Sequence, residues 1–108
     1  MINIERFKEI EIRVGKITDV EDHPYASKPM YKLTVDVGDA GKRTIVAGIK
    51  GIYTREELIG KYIVIAANLE PKTIAGVVSE GMLLAAEDDK TISILTVDRP
   101  VKEGSLVR

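Results

Sequence analysis

The fold class is most evident at Thr54-Arg-Glu-Glu-Leu-Ile-Gly60, which leads into the apolar run Lys61–Asn68. Thr54 and Glu57 have the spacing of a capping box, in which a threonine and a glutamate three residues later satisfy each other's backbone N–H groups. Gly60 then supplies a stop at the C-terminal end. The sequence here predicts a helix of roughly one or two turns that is followed directly by a strand.

Short β-rich runs, separated by turn signals, lie on both sides of this helix. Three runs precede it, namely Ile12–Ile17, Tyr31–Val37 and Arg43–Ile49. After it come Lys61–Asn68, a loop built on Pro71 and Gly76, Met82–Ala86, an Asp88-Asp89-Lys90 turn and a last run, Thr91–Val97. Five strands with a helix between the third and the fourth is the plan of the OB fold, a partly open Greek-key barrel. We therefore predict an all-β chain, a five-stranded OB-fold barrel with short terminal extensions, and a single domain over residues 1–108.

The first strand needs an interruption if its apolar residues are to share one face. A bulge at Gly15 would shift the in-and-out alternation there. The residues that would then face the core are Ile12, Val14 and Ile17, and the cations that would face outward are Arg13 and Lys16. In the second strand, which alternates cleanly, Lys32 lies on the polar side.

Two of the later strands are apolar on both faces, which is typical of strands that are covered on both sides. One possible cover is the N-terminal segment, where Ile4, Phe7 and Ile10 make a short amphipathic turn. The other is a second subunit. A chain of 108 residues has few spare elements, so we expect a homodimer.

Groups that could carry out catalysis are nearly missing from the sequence. There is no cysteine, and the one histidine, His23, stands beside Pro24 in a loop-like stretch, where we expect it to serve loop structure. No phosphate-binding glycine motif occurs, and no residues have the spacing of a metal site. We therefore predict a chain that is not an enzyme and that uses no cofactor or metal.

The formal net charge is −1, which argues against a general electrostatic nucleic-acid binder. The middle of the chain, residues 28–78, is nevertheless basic by three charges, while each end is acidic by two. Tyr31, Tyr53 and Tyr62 lie in apolar patterns and are expected in the core, so the chain lacks a row of stacking aromatics. If it binds RNA, we expect recognition of a folded shape through phosphate and 2′-hydroxyl contacts.

Signals for membrane insertion or export are absent. No window approaches the length of an apolar transmembrane segment, and the N-terminus does not read as a signal peptide. We expect a cytoplasmic protein. Because the chain starts at Met1 and ends soon after the last predicted strand, we expect it to be free-standing.

Three stretches resemble one family closely. They are Ile10–Ile17, Val46–Ile49 and the pair Ala67-Asn-Leu-Glu-Pro-Lys72 with Ser79-Glu-Gly-Met-Leu-Leu-Ala-Ala86. The chain resembles the tRNA-binding domain at the C-terminus of methionyl-tRNA synthetases, a module that also occurs as free-standing dimeric proteins. The resemblance implies an OB fold, dimerisation through the terminal elements, no catalysis, and shape-dependent tRNA binding beside a methionyl-tRNA synthetase.

The resemblance also implies which residues contact RNA, namely Arg13, Lys16, Lys32, Asn68, Lys72, Ser79, Glu80 and Met82. Several have a structural alternative. Asn68 could simply satisfy a turn. Glu80 repels phosphate, so it could instead orient a cation or accept backbone N–H groups, and Met82 could pack in the core.

One segment departs from the synthetase-appended pattern. Ala26-Ser-Lys-Pro-Met-Tyr31 resembles a secretion-chaperone-like, free-standing branch of the same fold. The alternative function is a chaperone-like module that binds unfolded peptide segments, which the apolar-rich strands and the low net charge would suit.

Overall fold

The computed structural model describes every residue from Met1 to Arg108. The elements in the first half of the chain are α1 (Ile4–Lys8), β1 (Ile12–Asp22), β2 (Tyr31–Asp36), a 3-10 turn (Gly38–Ala40), β3 (Lys42–Ala47) and α2 (Arg55–Leu58). Those in the second half are β4 (Tyr62–Ala66), β5 (Lys72–Ile74), β6 (Val77–Ser79), β7 (Met82–Leu83), β8 (Ala85–Glu87) and β9 (Ile92–Ile94).

Five antiparallel strands form the main sheet, in the order β3-β2-β1-β4-β7. The sheet curls so that the chain segment between β6 and β7 reaches the free edge of β3, where the Glu80 N–H donates to the Thr44 carbonyl at 2.8 Å. This nearly closes the barrel, with α2 between the third and fourth strands. The predicted all-β OB-type barrel is confirmed.

The predicted helix start is present in full. The Thr54 hydroxyl accepts the Glu57 N–H at 3.1 Å, and the Glu57 carboxylate accepts the Thr54 N–H at 2.8 Å. The Thr54 N–H, and after it the Thr54 side chain, favour the charged carboxylate and lower the pKa of Glu57 below its ordinary value. Leu58, the last residue of α2, is fully buried and brings the helix onto the core.

The predicted bulge at Gly15 is wrong. The β1–β4 ladder passes through Gly15 without a break, and the irregularity lies between Ile17 and Asp19 in the β1–β2 ladder. Gly15 instead packs inward, where an added Cβ would lie 2.4 Å from the Val35 side chain. Interior crowding, and not a bulge, explains why a residue without a side chain stands here.

The register of β1 therefore reverses several predicted directions. Paired residues of neighbouring strands share a face, and Arg13 pairs with Ile65, a core residue, whereas Val14 pairs with Val64 on the other face. Arg13 thus lies at the end of the inner face, and Ile12 and Val14 lie on the outer face. Ile17 faces the core and Lys16 faces outward, as predicted.

The core lies inside the barrel and draws on every long strand. Its fully buried members include Ile17, Leu33, Ile45, Ile63 and Ile65. Tyr31 and Tyr53 pack in or against this core as expected. Tyr62 does not, because it pairs with Lys16 on the outer face and remains half-buried.

The loop predicted around Pro71 and Gly76 is a β-hairpin, β5–β6, and a second hairpin, β8–β9, contains the expected turn. Its Asp88 carboxylate accepts the N–H groups of Lys90 and Thr91 at 2.9 and 2.8 Å, which lowers the pKa of Asp88.

The chain contains no helix that is both apolar enough and long enough to cross a bilayer.

Candidate nucleic-acid interface

The segment Ser79–Met82, hereafter the closing segment, joins the two free edges of the barrel. The Ser79 hydroxyl accepts the Val46 N–H at 3.0 Å and donates to the Gly81 carbonyl at 3.1 Å. Only 5% of Ser79 is exposed. Both hydrogen-bonding roles of the hydroxyl are therefore used inside the protein, and the predicted RNA contact at Ser79 has no free polar atom to make it.

Glu80 continues the same edge contact. Its carboxylate accepts the Thr44 N–H at 3.0 Å, so the side chain takes the place of a backbone partner for β3. Of the roles considered for this residue, accepting backbone N–H groups is the one that the structure shows. Ser79 and Glu80 therefore position the closing segment.

Gly81 and Met82 complete the closure. Gly81 has φ +141°, and an added Cβ would lie 3.0 Å from the Ala66 carbonyl oxygen. Met82 pairs with Ala66, and 51% of it is exposed. The methionine lies on the outer face and not in the core, where a flexible apolar side chain is free to contact a ligand.

Two predicted cations lie to the side of the closing segment. Lys32 pairs across β2–β3 with Val46, whose N–H is held by Ser79, and Ser79 pairs in turn with Lys72 across the β5–β6 hairpin. Lys32, Val46, Ser79 and Lys72 thus form a lateral row over four neighbouring strands. At the ordinary spacing of strands, the row is roughly 15 Å wide.

The cations of the lateral row differ in how they are paired. The Lys32 ammonium lies 3.9 Å from the Glu21 carboxylate, and 36% of the Lys32 side chain is exposed. Lys72 is exposed and makes no ion pair. Exposed pairs at such distances contribute little to stability, so both ammonium groups are available to an anion.

Lys16 lies on the outer face but away from this row. Its ammonium is 5.8 Å from the centroid of the Tyr62 ring, and the Tyr62 hydroxyl donates to the Glu103 carboxylate at 3.2 Å. The charge of Glu103 raises the pKa of Tyr62. Glu21, which pairs with Lys32, lies five residues farther along β1 than Lys16 does, and five residues of a strand span roughly 16 Å. Lys16 therefore belongs to a separate part of the surface.

Arg13 and Asn68 hold the terminal segments to the barrel. The Arg13 guanidinium donates twice to the Glu11 carboxylate, at 3.0 and 2.7 Å, and once to the Gly104 carbonyl, at 2.8 Å. The Asn68 amide accepts the Glu11 N–H at 2.8 Å and donates to the Glu9 carbonyl at 2.7 Å. The structure separates these two predicted site residues from the lateral row and gives both of them internal partners.

The loop of residues 23–30, between β1 and β2, lies beside the hairpin that carries Lys72. His23 is 7% exposed, and its Nδ1 accepts the N–H groups of Tyr25 and Ala26 at 3.1 and 3.0 Å. Its Nε2 lies 2.7 Å from the Ile74 carbonyl oxygen, and because Nδ1 is an acceptor, Nε2 carries the hydrogen that is donated. The expected loop role of His23 thus extends to the β5–β6 hairpin, a contact for which no local sequence pattern is a signal.

A separate apolar cleft of about 460 Å³ lies between α1 and the C-terminal segment. Its apolar lining consists of Ile4, Phe7, Ile10, Leu106 and Val107. The predicted amphipathic turn is therefore present, but Ile4 and Ile10 stay exposed and do not cover the barrel.

No group of three or more carboxylate, histidine or cysteine side chains in the chain is placed to hold a metal ion.

Residues 12–106 match the family described as "Putative tRNA binding domain". The chain belongs to this family of tRNA-binding domains. The methionine–tRNA ligases of Methanocaldococcus jannaschii and Pyrococcus furiosus are 51% and 50% identical to it over 108 and 107 residues. Each alignment covers 99% of this tRNA-binding domain but only 16% and 14% of the ligase. The chain therefore spans a small part of the length of the curated relatives it matches.

Solved structures resemble this tRNA-binding domain over its whole length. The CsaA chaperone protein from Picrophilus torridus superposes with a TM-score of 0.93 at 38% identity, and all of both chains is covered. The MetRS related protein from Pyrococcus horikoshii superposes with a TM-score of 0.90 at 34% identity, covering 100% of this chain and 98% of that one. The predicted family is confirmed, and its structural relatives carry both synthetase-related and chaperone names.

Proposed function

We propose that this tRNA-binding domain is a non-catalytic module that holds folded tRNA by its shape, as an accessory to methionyl-tRNA synthetase. The observation that carries the proposal is the family match over residues 12–106. The lateral row supports it, since two available ammonium groups flank a segment that is fixed to the barrel by hydrogen bonds.

Within the site, the side chains have different tasks. Lys32 and Lys72 contact phosphates, because ammonium groups on neighbouring strands suit an anionic backbone and carry no base preference. Met82 contacts a sugar or base edge through its thioether. Ser79 and Glu80 touch no RNA and keep β3 and the closing segment in place, while Lys16 offers a second phosphate contact farther along the outer face.

The apolar cleft at the termini supports a homodimer. Its five apolar side chains are brought together by Arg13 and Asn68 but have no cover in a single chain. Two copies that meet there would cover each other's cleft and place two lateral rows in one assembly. Sedimentation at micromolar concentration is expected to show one species of twice the chain mass, and a monomer would contradict the dimer.

Titration of the domain with folded tRNA and with an unstructured RNA of equal length tests the RNA proposal. Folded tRNA is expected to bind more tightly, with an affinity that falls as salt rises. Four to six phosphate contacts give a log–log slope of roughly −3 to −5. Equal binding of the two RNAs would rule out recognition by shape.

A second candidate function is a chaperone-like module for unfolded peptide segments. The observation that favours it is the superposition on the CsaA chaperone protein over the full length of both chains. An unfolded, reduced polypeptide added to the same titration separates the two functions. Binding of the polypeptide that is insensitive to salt, together with no binding of tRNA, would favour the chaperone-like module.

A further inference from the structure

Tyr25 is the one tyrosine that the fold leaves in solvent. It is 77% exposed, whereas Tyr31 is buried in the core and Tyr53 packs against it. Single exposed apolar residues are ordinary on protein surfaces, so exposure alone assigns no role. What distinguishes Tyr25 is the way in which its backbone is held.

The backbone at Tyr25 is anchored from below by a buried side chain. The Tyr25 and Ala26 N–H groups both donate to Nδ1 of His23, and Nε2 of His23 donates to Ile74 at the end of β5. The loop is thereby tied to the hairpin next to it. The ring thus stands in solvent on a backbone that is already ordered, which reduces the entropy lost when a ligand binds.

The charges around the ring favour an anionic ligand. Lys28, three residues farther along the loop, is exposed and makes no ion pair. Lys72 lies two residues before Ile74, to which the loop is tied, and Lys32 lies one residue into β2 after the loop. An exposed ring on a loop that carries one cation and adjoins two others matches the combination that proteins use on unpaired RNA bases, namely stacking together with phosphate contacts.

We propose that the Tyr25 ring is the stacking platform for one unpaired nucleobase of the bound RNA, a role that rests on the proposed function. The base stacks on the ring face while Lys28, Lys32 and Lys72 hold the phosphates on either side. The contact carries no requirement for one particular base, because every base has a π-face.

Replacement of the ring tests the role directly. Tyr25→Ala is expected to weaken binding of folded tRNA about tenfold, within the range for loss of one stacked base, and Tyr25→Phe is expected to bind within about twofold of the unchanged chain. Because the ring is uncharged, the log–log salt slope should not change, whereas loss of one phosphate contact lowers its magnitude by about 0.7 to 0.9. A blunt RNA duplex without unpaired bases should bind the domain and its Tyr25→Ala variant equally.

A fluorescence signal tests stacking independently of affinity. The chain has no tryptophan, so Tyr25→Trp introduces a single reporter, and tRNA is expected to quench it. Val101→Trp, at an exposed position in the C-terminal part of the chain, is the matched control and should keep its emission. Quenching by an unfolded polypeptide but not by tRNA would overturn the proposal and assign the ring to peptide binding.

The outcomes separate this proposal from the function on which it rests. If the unchanged domain binds no tRNA, the proposed function fails, and the role of Tyr25 fails with it. If it binds folded tRNA and Tyr25→Ala binds as tightly, only the role of Tyr25 is overturned. A loss of affinity for the blunt duplex as large as that for tRNA would also overturn it, since no unpaired base is then involved.

Discussion

The closing segment, Ser79–Met82, is bonded to β3, and the loop of residues 23–30 leads into β2, the neighbour of β3. The two segments use their side chains in opposite ways. In the closing segment, the side chains of Ser79 and Glu80 accept hydrogen bonds from backbone N–H groups of β3. In the loop, only the His23 side chain is held by backbone groups, those of Tyr25 and Ala26 in the loop itself and of Ile74 in β5, and the side chains of Tyr25 and Lys28 are exposed to solvent.

The difference shows that a distinctive sequence motif need not be the part that touches the ligand. The Ser-Glu-Gly stretch is distinctive because barrel closure demands a hydroxyl, a carboxylate and a residue without a side chain at three consecutive positions. Substitutions at Ser79, Glu80 and Gly81 should therefore act mainly on stability, and substitutions at Met82 and beside the closing segment should act mainly on binding.

Gly81→Ala should have the largest effect. At φ +141° a side chain is strained, and the new Cβ would lie 3.0 Å from the Ala66 carbonyl oxygen, so we expect the free energy of unfolding to fall by about 3 kcal/mol. Urea denaturation measures it. Gly51→Ala is the matched control, because Gly51 also has a positive φ but has no neighbour within 4 Å of an added Cβ. Equal losses in the two variants would show that closure does not depend on the contact with Ala66.

Ser79→Ala should have the next largest effect. It removes the acceptor of the Val46 N–H in a buried setting, and leaving such a group unpaired costs about 1–3 kcal/mol. Thermal unfolding of the variant should show the loss, while the affinity of the folded variant for tRNA stays that of the unchanged chain. Ser93→Ala, at an exposed position of β9, should be nearly neutral. A Ser79→Ala variant that is as stable as the unchanged chain but binds tRNA more weakly would move Ser79 from closure to the RNA contact.

Lys72→Ala should affect binding and leave stability unchanged. Lys72 makes no ion pair, so its loss removes nothing from the fold, but one lost phosphate contact should lower the magnitude of the log–log salt slope for tRNA by about 0.7 to 0.9. Lys90→Ala, in the β8–β9 turn, removes the same charge elsewhere and is the control. The same slope in both variants as in the unchanged chain would exclude Lys72 from the interface.

The sequence predicted those parts of the fold whose signals are local. The capping box of α2 needs only Thr54 and Glu57, and the alternation of β2 is visible in seven consecutive residues. The directions of the β1 side chains were not predictable in the same way, because they depend on the ladders with β2 and β4. A glycine in a strand fits both a bulge and a crowded interior, and only the position of Val35 distinguishes the two at Gly15.

Only part of the candidate site was predicted, because the rest also depends on contacts between residues that are far apart in the sequence. Lys32 and Lys72 were found from alternation and resemblance, and the structure brings them into one row. The burial of Ser79 follows from a bond to Val46, which is 33 residues away, and the use of Arg13 follows from a contact with Gly104, 91 residues away. No local pattern reports contacts at such separations, so a predicted RNA contact and a structural hydrogen bond look alike in the sequence.

The smallest expected effect tests whether hydrogen bonding is enough for an exposed polar side chain to stabilise the fold without being buried. Glu57 is exposed, yet its bonds to Thr54 lower its pKa. A carboxyl whose pKa is lowered by folding stabilises the folded state at pH values above its unfolded-state pKa, which is about 4.3 for glutamate. That contribution disappears as the pH falls through the folded-state pKa. Glu57→Gln should therefore be slightly less stable than the unchanged chain at pH 6, and urea denaturation should show the difference shrinking as the pH falls below about 4.3. Glu56→Gln, whose carboxylate makes no capping bond, should show no such convergence. A difference that stays constant from pH 6 to pH 3 would mean that the charge of Glu57 does not contribute to the cap.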